Sequence, residues 1–258
     1  MPGRGRRFPA IGKPQFPQVD FGNPLSKGLV GAWAMYEGAG NKLYDVSGRN
    51  NHGTLTGGPT WVNTSINGGP SLSFDGTDDY VTAGTINIPS GSSKLTISYW
   101  QYQRTNTAQN GAVCIEVSAG ETFSIVPLFL EGVYYIWTDS ITDNFIVTAA
   151  QHPPLNQWVH VVVSYDGTNL NYYKDGVFQA SLATTLGTGT LSSVEIGRRV
   201  TGTIAYFDGL LDDVRIYNRA LSATEIRELY SNPWGMFLPQ KRRRLTGDVV
   251  AAGTRARL

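Results

Sequence analysis

Hydrophobic and polar positions alternate in short runs from Gly28 onward, and turn-forming residues separate one run from the next. This pattern is typical of an antiparallel β-sandwich or barrel. Asp-Gly pairs at 75–76, 166–167 and 175–176 predict tight hairpin turns. The strands predicted from the pattern are Leu29–Met35, Ser71–Phe74, Tyr80–Ala83, Leu95–Arg104, Ala112–Val117, Thr122–Phe129, Val133–Thr138, Phe145–Thr148, Trp158–Tyr165, Leu170–Lys174, Val177–Ala180, Ser193–Ile196 and Tyr206–Tyr217.

Two of these strands are two-sided. In Leu95–Arg104, Leu95, Ile97 and Tyr99 share one face, and the opposite face is mixed in character. In Trp158–Tyr165, the valines at 159, 161 and 163 share a face with Tyr165. We expect the apolar faces to fill the space between two sheets. The mixed faces then form an outer surface, which either binds a ligand or is covered by loops.

One helix is predicted, after the last strand. Ser222 and Glu225 form a capping box, which starts a helix that continues to about Tyr230. Asn232-Pro233 ends it, because the residue before a proline avoids the helical conformation.

The length of 258 residues allows one large sandwich domain with a core of its own. The single cysteine, Cys114, lies in an apolar run, so we expect it to be a buried packing residue and the fold not to depend on a disulfide. The basic N-terminus is not followed by the apolar stretch of a signal peptide, and no run approaches the length of a membrane helix.

Basic residues concentrate at both ends of the chain. Residues 1–25 carry four Lys or Arg and one Asp, and residues 232–258 carry six and one. The net charge is +1, so the body between them is acidic, with eighteen carboxylates against eleven Lys or Arg. Two alternatives stay open: the arms dock on acidic neighbouring subunits, or they only keep the chain soluble. The docking candidates are Arg4, Arg6, Arg7, Phe8, Phe16, Phe21, Lys241, Arg242, Arg243 and Arg244.

An ordered set of motifs covers about residues 26–231, and together they resemble the laminin-G-like jelly rolls of the concanavalin A-like lectin/glucanase superfamily. The motifs are GLVGAW (28–33), YEGAG (36–40), DVSGRNNHG (45–53), LSFDG (72–76), DDYV (78–81), LTISYW (95–100), WVHVVVSYDG (158–167), YKDG (173–176) and GLLDDVRIYNRALS (209–222). The resemblance implies an all-β, two-sheet antiparallel jelly-roll sandwich with one short C-terminal helix. It leaves residues 1–25 and 232–258 outside, as extended terminal arms.

Catalysis is not expected. Glucanases of this fold carry two carboxylates on one strand, and retaining hydrolysis needs them about 5–5.5 Å apart. The chain has no such run. Glu116 and Glu121 form the nearest cluster, and Gly120 between them suggests a turn. The adjacent pairs at 78–79 and 212–213 would point to opposite faces of a strand, so neither pair is expected to line one site.

The resemblance also implies a structural calcium at the sandwich edge. Its ligands would be Asp45, Asn51, Gly53 through its carbonyl, and Asp212 at the start of the last strand. The alternative is that Asp45 and Asn51 form Asx turns and that Asp212 caps a strand.

Carbohydrate-binding residues are sought on the mixed faces, because sugars stack on aromatic rings and bond to polar groups. The candidates are Tyr102, Arg104, Tyr135, Trp137 and His160. Trp100 and Trp158 are expected to be packing residues, and for Tyr102, Arg104 and Tyr135 both roles stay open. The run 241–244 lacks a nucleic-acid fold beside it, so nucleic acid is not the expected partner.

Three functions are compatible with these features. The first is a non-catalytic structural or decoration protein of a virion or similar assembly, which displays a lectin-like domain and docks through its basic arms. The second is a carbohydrate-binding adhesion module, and the third a glycan-active hydrolase with a displaced site. The first implies a place on the surface of a virion or extracellular particle, with synthesis in the cytoplasm without a signal peptide. The second is compatible with the first, but its export route is not visible in the chain.

Overall fold

The computed structural model describes residues 12–66, 68–86, 94–105, 111–117, 126–130, 133–137, 144–147, 151–183, 191–199 and 205–238. For residues 116–117, 126–130, 133–137, 144–147 and 191–192 the description covers the backbone only.

The described chain is built from β-strands, with one α-helix (α1, Ala223–Ser231) and a 3-10 turn at Pro24–Ser26. The strands are β1 Leu29–Trp33, β2 Lys42–Leu43, β3 Gly53–Thr56, β4 Thr60–Val62, β5 Ser71–Asp75, β6 Tyr80–Ala83, β7 Leu95–Gln103, β8 Val113–Val117, β9 Val126–Leu130, β10 Val133–Trp137, β11 Asn144–Val147, β12 Trp158–Tyr165, β13 Asn169–Lys174, β14 Val177–Ala183, β15 Leu191–Ile196, β16 Arg198–Arg199, β17 Ala205–Tyr206 and β18 Asp208–Tyr217.

Most predicted strands are confirmed to within a few residues, and β6 and β12 have the predicted bounds. The sequence pattern missed β2, β3 and β4, which are short and contain Gly, Thr and Lys rather than an alternating apolar run. The predicted strand 122–129 overlaps β9, Val126–Leu130, and its residues 122–125 lie outside the described residues.

The strands form the predicted antiparallel sandwich. Among the described strands, one sheet has the order β14-β13-β12-β7-β18-β5-β4, with β1 also paired to β18, and the facing sheet has the order β2-β3-β6-β15-β8. A three-stranded sheet has the order β11-β10-β9.

The main core lies between the two larger sheets, and the predicted apolar faces of β7 and β12 fill it. Ile97, Val161 and Val163 are at most 1% exposed and pack in one cluster with Val81 and Ile196 of the facing sheet. Each buried side chain of this size contributes about 1.5–3 kcal/mol to stability, so these two strands anchor the fold. Cys114 on β8 is buried, as expected.

A second apolar cluster covers the outer face of the larger sheet. Trp100 and Val162 of this face pack with Ile226 and Leu229 of α1 and with residues from both ends of the described chain. The mixed face is therefore covered at this point, by a helix and two terminal segments.

The helix starts as predicted. Ser222 Oγ accepts the Glu225 N–H, and the Glu225 carboxylate accepts the Ser222 N–H in return. Arg219 pairs with Glu225 at 2.7 Å and ties the helix start to the end of β18.

The predicted boundaries at residues 26 and 231 are too narrow for the packed structure. Val19 forms a β-bridge with Phe237, and both are at most 7% exposed. Trp234 and Met236 are at most 1% exposed in the same cluster. These side chains complete the cover of the outer face, so the inner parts of both arms belong to the domain.

The predicted docking residues divide between the described and the remaining parts of the chain. Phe16 and Phe21 are 71% and 68% exposed. Arg4, Arg6, Arg7, Phe8 and Lys241–Arg244 lie outside the described residues. Within the described part of the chain, no helix combines the length and apolar composition that crossing a membrane requires.

Candidate functional site

A cleft of about 620 Å³ opens at the edge of the larger sheet, within the size range of ligand sites. Three stretches of chain line it: residues 12–16, Tyr36 and Glu37 after β1, and Asn63 with residues 68–70 between β4 and β5. Its lining residues are Gly12, Lys13, Pro14, Gln15, Phe16, Tyr36, Glu37, Asn63, Gly68, Gly69 and Pro70.

Lys13 fixes the first of these walls. Its Nζ donates to the Pro70 carbonyl and to Asp212 Oδ1, each at 2.5 Å, and its side chain is only 3% exposed. A Cβ on Gly69 would lie 3.1 Å from Lys13 Cδ, so the glycine leaves room for the lysine to pass. The ammonium group is thus engaged beneath the cleft rather than presented to a ligand.

Glu37 supplies the carboxylate of the lining. Its Oε1 accepts the Tyr44 N–H at 2.7 Å, whereas its Oε2 is buried and has no hydrogen-bond partner among the described residues. Burial raises the pKa of the Glu37 carboxyl above its ordinary value. A buried acceptor without a donor costs about 1–3 kcal/mol, and a ligand hydroxyl that reached this carboxylate would offset that cost.

Two aromatic rings line the same cleft as this carboxylate. Phe16 is 71% exposed, and Tyr36 is half-exposed, with a pKa raised by burial and then by the charge of Glu37. The amide side chains of Gln15 and Asn63 are exposed at the rim. Rings, one carboxylate and amides together are suited to a flat polyhydroxylated ligand.

The sequence interpretation missed this cleft. Lys13 and Gln15 were assigned to an arm, and the motif 36–40 was used only as a mark of resemblance. The recurring aromatic residues of the N-terminal segment were the available signal, because Phe16 is one of them.

Tyr102 and Arg104 lie elsewhere on the same sheet and do not line the cleft. Tyr102 is half-exposed and meets the half-exposed Trp158 edge-to-face, with ring centroids 6.0 Å apart. The Arg104 guanidinium donates to Ser73 Oγ, to the Phe74 carbonyl and to Asp208, so it holds strands together.

The prediction that His160 is available to a ligand was wrong. The side chain is buried, because its ring packs against Trp100, with ring centroids 5.0 Å apart, and stacks with Tyr230 of the helix. Burial lowers the pKa of His160 to about 3, and the charge of Arg215 adds to this. The side chains of Tyr135 and Trp137 on β10 lie outside the described part of the structure.

Asp45 is held by protein donors in a way that does not fit a calcium ligand. Its Oδ1 accepts the N–H groups of Ala32 and Ser47, and its Oδ2 accepts the Asn51 N–H and the Ser47 hydroxyl, all at 2.8–2.9 Å. Four donors occupy the lone pairs that a cation would need. These contacts correspond to the alternative in which Asp45 forms a turn, here in the loop before β3.

The other proposed ligands also have structural contacts. Asn51 donates from Nδ2 to the Val30 carbonyl, and its own carbonyl accepts the Trp33 indole N–H. A Cβ on Gly53 would lie 2.5 Å from Val81, so this glycine is needed for strand packing. Asp212 is paired with Lys13. Each of the four residues is thus already engaged in contacts within the protein.

Two expectations about adjacent carboxylates were wrong. Asp78 and Asp79 lie in the turn before β6, where their oxygens and one of Asp75 lie within 4.8 Å of one another. Hydrogen bonds from the Asp75 and Thr77 N–H groups to these carboxylates account for the turn.

In the pair at 212–213, Asp213 has φ of +49° at a bulge. Asp213 pairs with Arg215, and Asp212 pairs with Lys13. Burial raises the pKa of both carboxyls, that of Asp212 to about 7, and the charge of Lys13 acts against this rise at both, so the two side chains lie in the same region near Lys13.

A family profile described as the concanavalin A-like lectin/glucanases superfamily matches residues 75–227, which is more than half of the chain. A curated relative is Adhesion G-protein coupled receptor V1 of Danio rerio, 26% identical over 161 residues. The match covers 58% of this chain and 2% of that receptor, so the chain spans only a small part of this relative.

Solved structures share the fold at low sequence identity. Domain 4 of AbnA, a GH43 extracellular arabinanase from Geobacillus stearothermophilus in complex with arabinotriose, superposes with a TM-score of 0.65 and 21% identity, over 78% of this chain and 98% of that domain. Trypanosoma rangeli sialidase in complex with sialic acid superposes with a TM-score of 0.59 and 16% identity, over 79% of this chain and 32% of the sialidase.

Proposed function

The chain belongs to the concanavalin A-like lectin/glucanases superfamily, and on that premise we propose that it is a non-catalytic module that binds a neutral oligosaccharide in the cleft between Phe16, Tyr36 and Glu37. The observation that supports this most directly is that the unpaired Glu37 Oε2 belongs to a cleft whose lining also includes Phe16 and Tyr36. Aromatic faces bind the apolar face of a sugar, and the carboxylate accepts its hydroxyl hydrogens.

The charge of the cleft favours a neutral ligand. Glu37 is the acid among the lining residues, and the ammonium group of Lys13 is already engaged by Asp212 and Pro70. A ligand with its own carboxylate would meet like charge, with no free cation among the described lining residues. Arabinotriose is the natural first probe, because domain 4 of AbnA, which superposes on this chain over 98% of its own length, was solved in complex with it.

The absence of catalysis remains part of the proposal. Glycoside hydrolysis requires two carboxyl groups about the scissile bond, and the described lining residues offer one, Glu37. Incubation with arabinan or a mixed polysaccharide should release no reducing ends. Turnover that is lost in Glu37→Gln would contradict this part.

The binding test is calorimetry or a neutral-glycan array with the full chain. The wild type should bind, and Glu37→Gln and Phe16→Ala should each weaken binding about tenfold or more, which corresponds to about 1.4 kcal/mol. Phe178→Ala is the matched control, because Phe178 is 51% exposed on β14 and does not line the cleft. Absence of binding to any neutral glycan, or equal binding by all variants, would overturn the proposal.

A role in a virion or similar assembly is a second proposal, with a place on a particle or outside a cell. The specific observation that favours it is the exposure of large apolar side chains on the terminal segments, at Phe21 (68%) and Leu238 (43%). Such residues are typical of contacts with another protein. A sugar-binding cleft on such a particle is compatible with this role.

A further inference from the structure

The facing sheet, β2-β3-β6-β15-β8, has a polar outer face that is separate from the cleft. Val81 of β6 packs in the core, so its neighbour Thr82 lies on the opposite, exposed side of the sheet. The strand register places Thr54, Thr82 and Glu195 in one row, and Lys42 of β2 extends it. We call this surface the threonine face; its main residues are Lys42, Thr54, Tyr80, Thr82, Glu195 and Arg198.

The guanidinium of Arg198, on β16, is held in one orientation on the threonine face. Its Nε donates to Glu195 Oε2 at 2.9 Å, and its central carbon lies 3.4 Å from the centroid of the Tyr80 ring. Glu195 is fixed in turn, because its Oε2 also accepts the Thr82 hydroxyl at 3.0 Å and its side chain is only 4% exposed. Two independent contacts therefore set the plane and the direction of the guanidinium.

The two Nη groups of Arg198 remain available to a ligand. Among the described residues, none accepts a hydrogen bond from either Nη, and the side chain is 18% exposed. A guanidinium binds a carboxylate through two parallel N–H···O bonds, which is a geometry that a lysine cannot offer. Because the orientation of Arg198 is already fixed, binding costs less side-chain entropy than at a free arginine. The ligand group that fits this position is a carboxylate.

The groups around Arg198 are suited to a sugar that carries this carboxylate. Tyr80 and Tyr206 are half-exposed, and their ring centroids lie 6.5 Å apart. The side chains of Thr54 and Thr56 are exposed on the neighbouring strand, where Thr56 pairs with Tyr80. Aromatic faces bind the apolar face of a sugar ring, and hydroxyls can both donate to and accept from its hydroxyl groups.

Lys42 supplies a second cation at the other end of the row. It is exposed and lies three strands from Glu195, which is about 14 Å at about 4.8 Å per strand. We propose that the threonine face is a second binding site, in which Arg198 binds the carboxylate of an acidic oligosaccharide. This site has its own residues and a ligand of opposite character to that of the cleft, so it does not depend on sugar binding there.

The test is calorimetric titration of the full chain with trigalacturonate and with sialyllactose, each compared with its methyl ester. At least one of the two acids should bind, and its ester should bind more weakly by about tenfold or more, because esterification removes the charge that the guanidinium recognises. Arg198→Gln should weaken binding of the acid to the same extent. Arg227→Gln is the matched control, since Arg227 is exposed on α1, which covers the other sheet.

Two further variants separate binding from folding and from the cleft. Arg198→Gln leaves Glu195 without its cation, so Arg198→Gln combined with Glu195→Gln is measured beside it. This double variant should lose binding of the acid and keep the wild-type melting temperature. Phe16→Ala, which alters the cleft, should bind the acid like the wild type.

The proposal is overturned if neither acid binds, or if the esters bind as tightly as the acids. Equal binding by the wild type and both Arg198 variants would also overturn it. A glutamate-rich peptide that binds as tightly as the sugars would do the same, in favour of an acidic protein as the ligand. Loss of acid binding in Phe16→Ala alone would assign the binding to the cleft instead.

Discussion

Lys13 Nζ lies 2.5 Å from Asp212 Oδ1, and both side chains are almost fully buried. A residue close to the start of the described chain thus neutralises a carboxylate in the last strand of the sheet. The contact also fixes residues 12–16, which form one wall of the cleft.

Lys13→Met should destabilise the protein by about 3 kcal/mol, because removal of one partner leaves a buried carboxylate uncompensated. The measurement is urea unfolding at neutral pH. Lys42→Met is the control and should cost less than about 0.5 kcal/mol, since Lys42 is an exposed residue that contacts Thr54. The double variant Lys13→Met with Asp212→Leu should recover much of the loss; equal stability of Lys13→Met and the wild type would argue against a structural ion pair.

Removal of the terminal segments should unfold or strongly weaken the sandwich. A chain of residues 26–231 lacks Val19, Trp234, Met236 and Phe237, which are buried on the outer face. Each contributes about 1.5–3 kcal/mol, against a typical total stability of about 5–15 kcal/mol. Thermal melting should therefore show a loss of more than about 10 °C, whereas residues 12–238 should melt like the full chain. If residues 26–231 melt at the same temperature as the full chain, the apolar cluster on the outer face does not stabilise the sandwich as described.

His160 should make the protein less stable in acid. Its pKa in the folded state is about 3, because burial opposes the charged form, and its ordinary value is 6.5. The unfolded chain takes up the proton first, so stability from this group is complete above pH 6.5 and is lost as the pH falls towards 3. One such group changes stability by at most about 1.4 kcal/mol per pH unit.

The free energy of unfolding, measured from pH 8 to pH 4, should therefore fall less steeply for His160→Gln than for the wild type. The pH 8 values serve as the internal reference for the cost of the substitution itself. Parallel curves for the two proteins would show that the histidine is not buried in its neutral form.

Asp45→Asn should destabilise the loop 45–53 independently of calcium. An amide in place of Oδ2 would set a donor against the Asn51 N–H and the Ser47 hydroxyl, at a cost of about 1–3 kcal/mol. The melting temperature of the variant should lie below that of the wild type by the same amount in excess calcium and in a chelator. A wild-type melting temperature that falls on chelation, with no such fall in the variant, would restore the calcium site.

The sandwich and its helix could be predicted because both depend on local pattern. Alternation in β7 and β12 assigns Ile97 and Val161 to the core in any fold that buries one face. The capping box of Ser222 and Glu225 is satisfied within four residues. The short strands β2–β4 were not predictable, because they form by pairing with neighbours and have little pattern of their own.

The site residues depended on contacts between distant parts of the chain. His160 alternates with the core valines of its strand, as the pattern showed, but only the packed helix decides that Tyr230 covers it. Asp45 is equally compatible with a metal or a turn until four donors are seen to surround it. The burial of a side chain and the number of hydrogen-bond donors around it are properties of the folded structure. Residue type alone therefore could not distinguish a ligand-binding role from a structural one.

The sequence by itself determined an antiparallel sandwich, its inner faces, its capped helix and the opposite charges of body and ends. The tertiary structure decided where the domain ends and where its cleft lies, because Lys13 meets Asp212, and Val19 meets Phe237, only after about two hundred intervening residues have folded. Periodicity records which side of its own strand a residue occupies. It carries no information about which distant segment will cover that side.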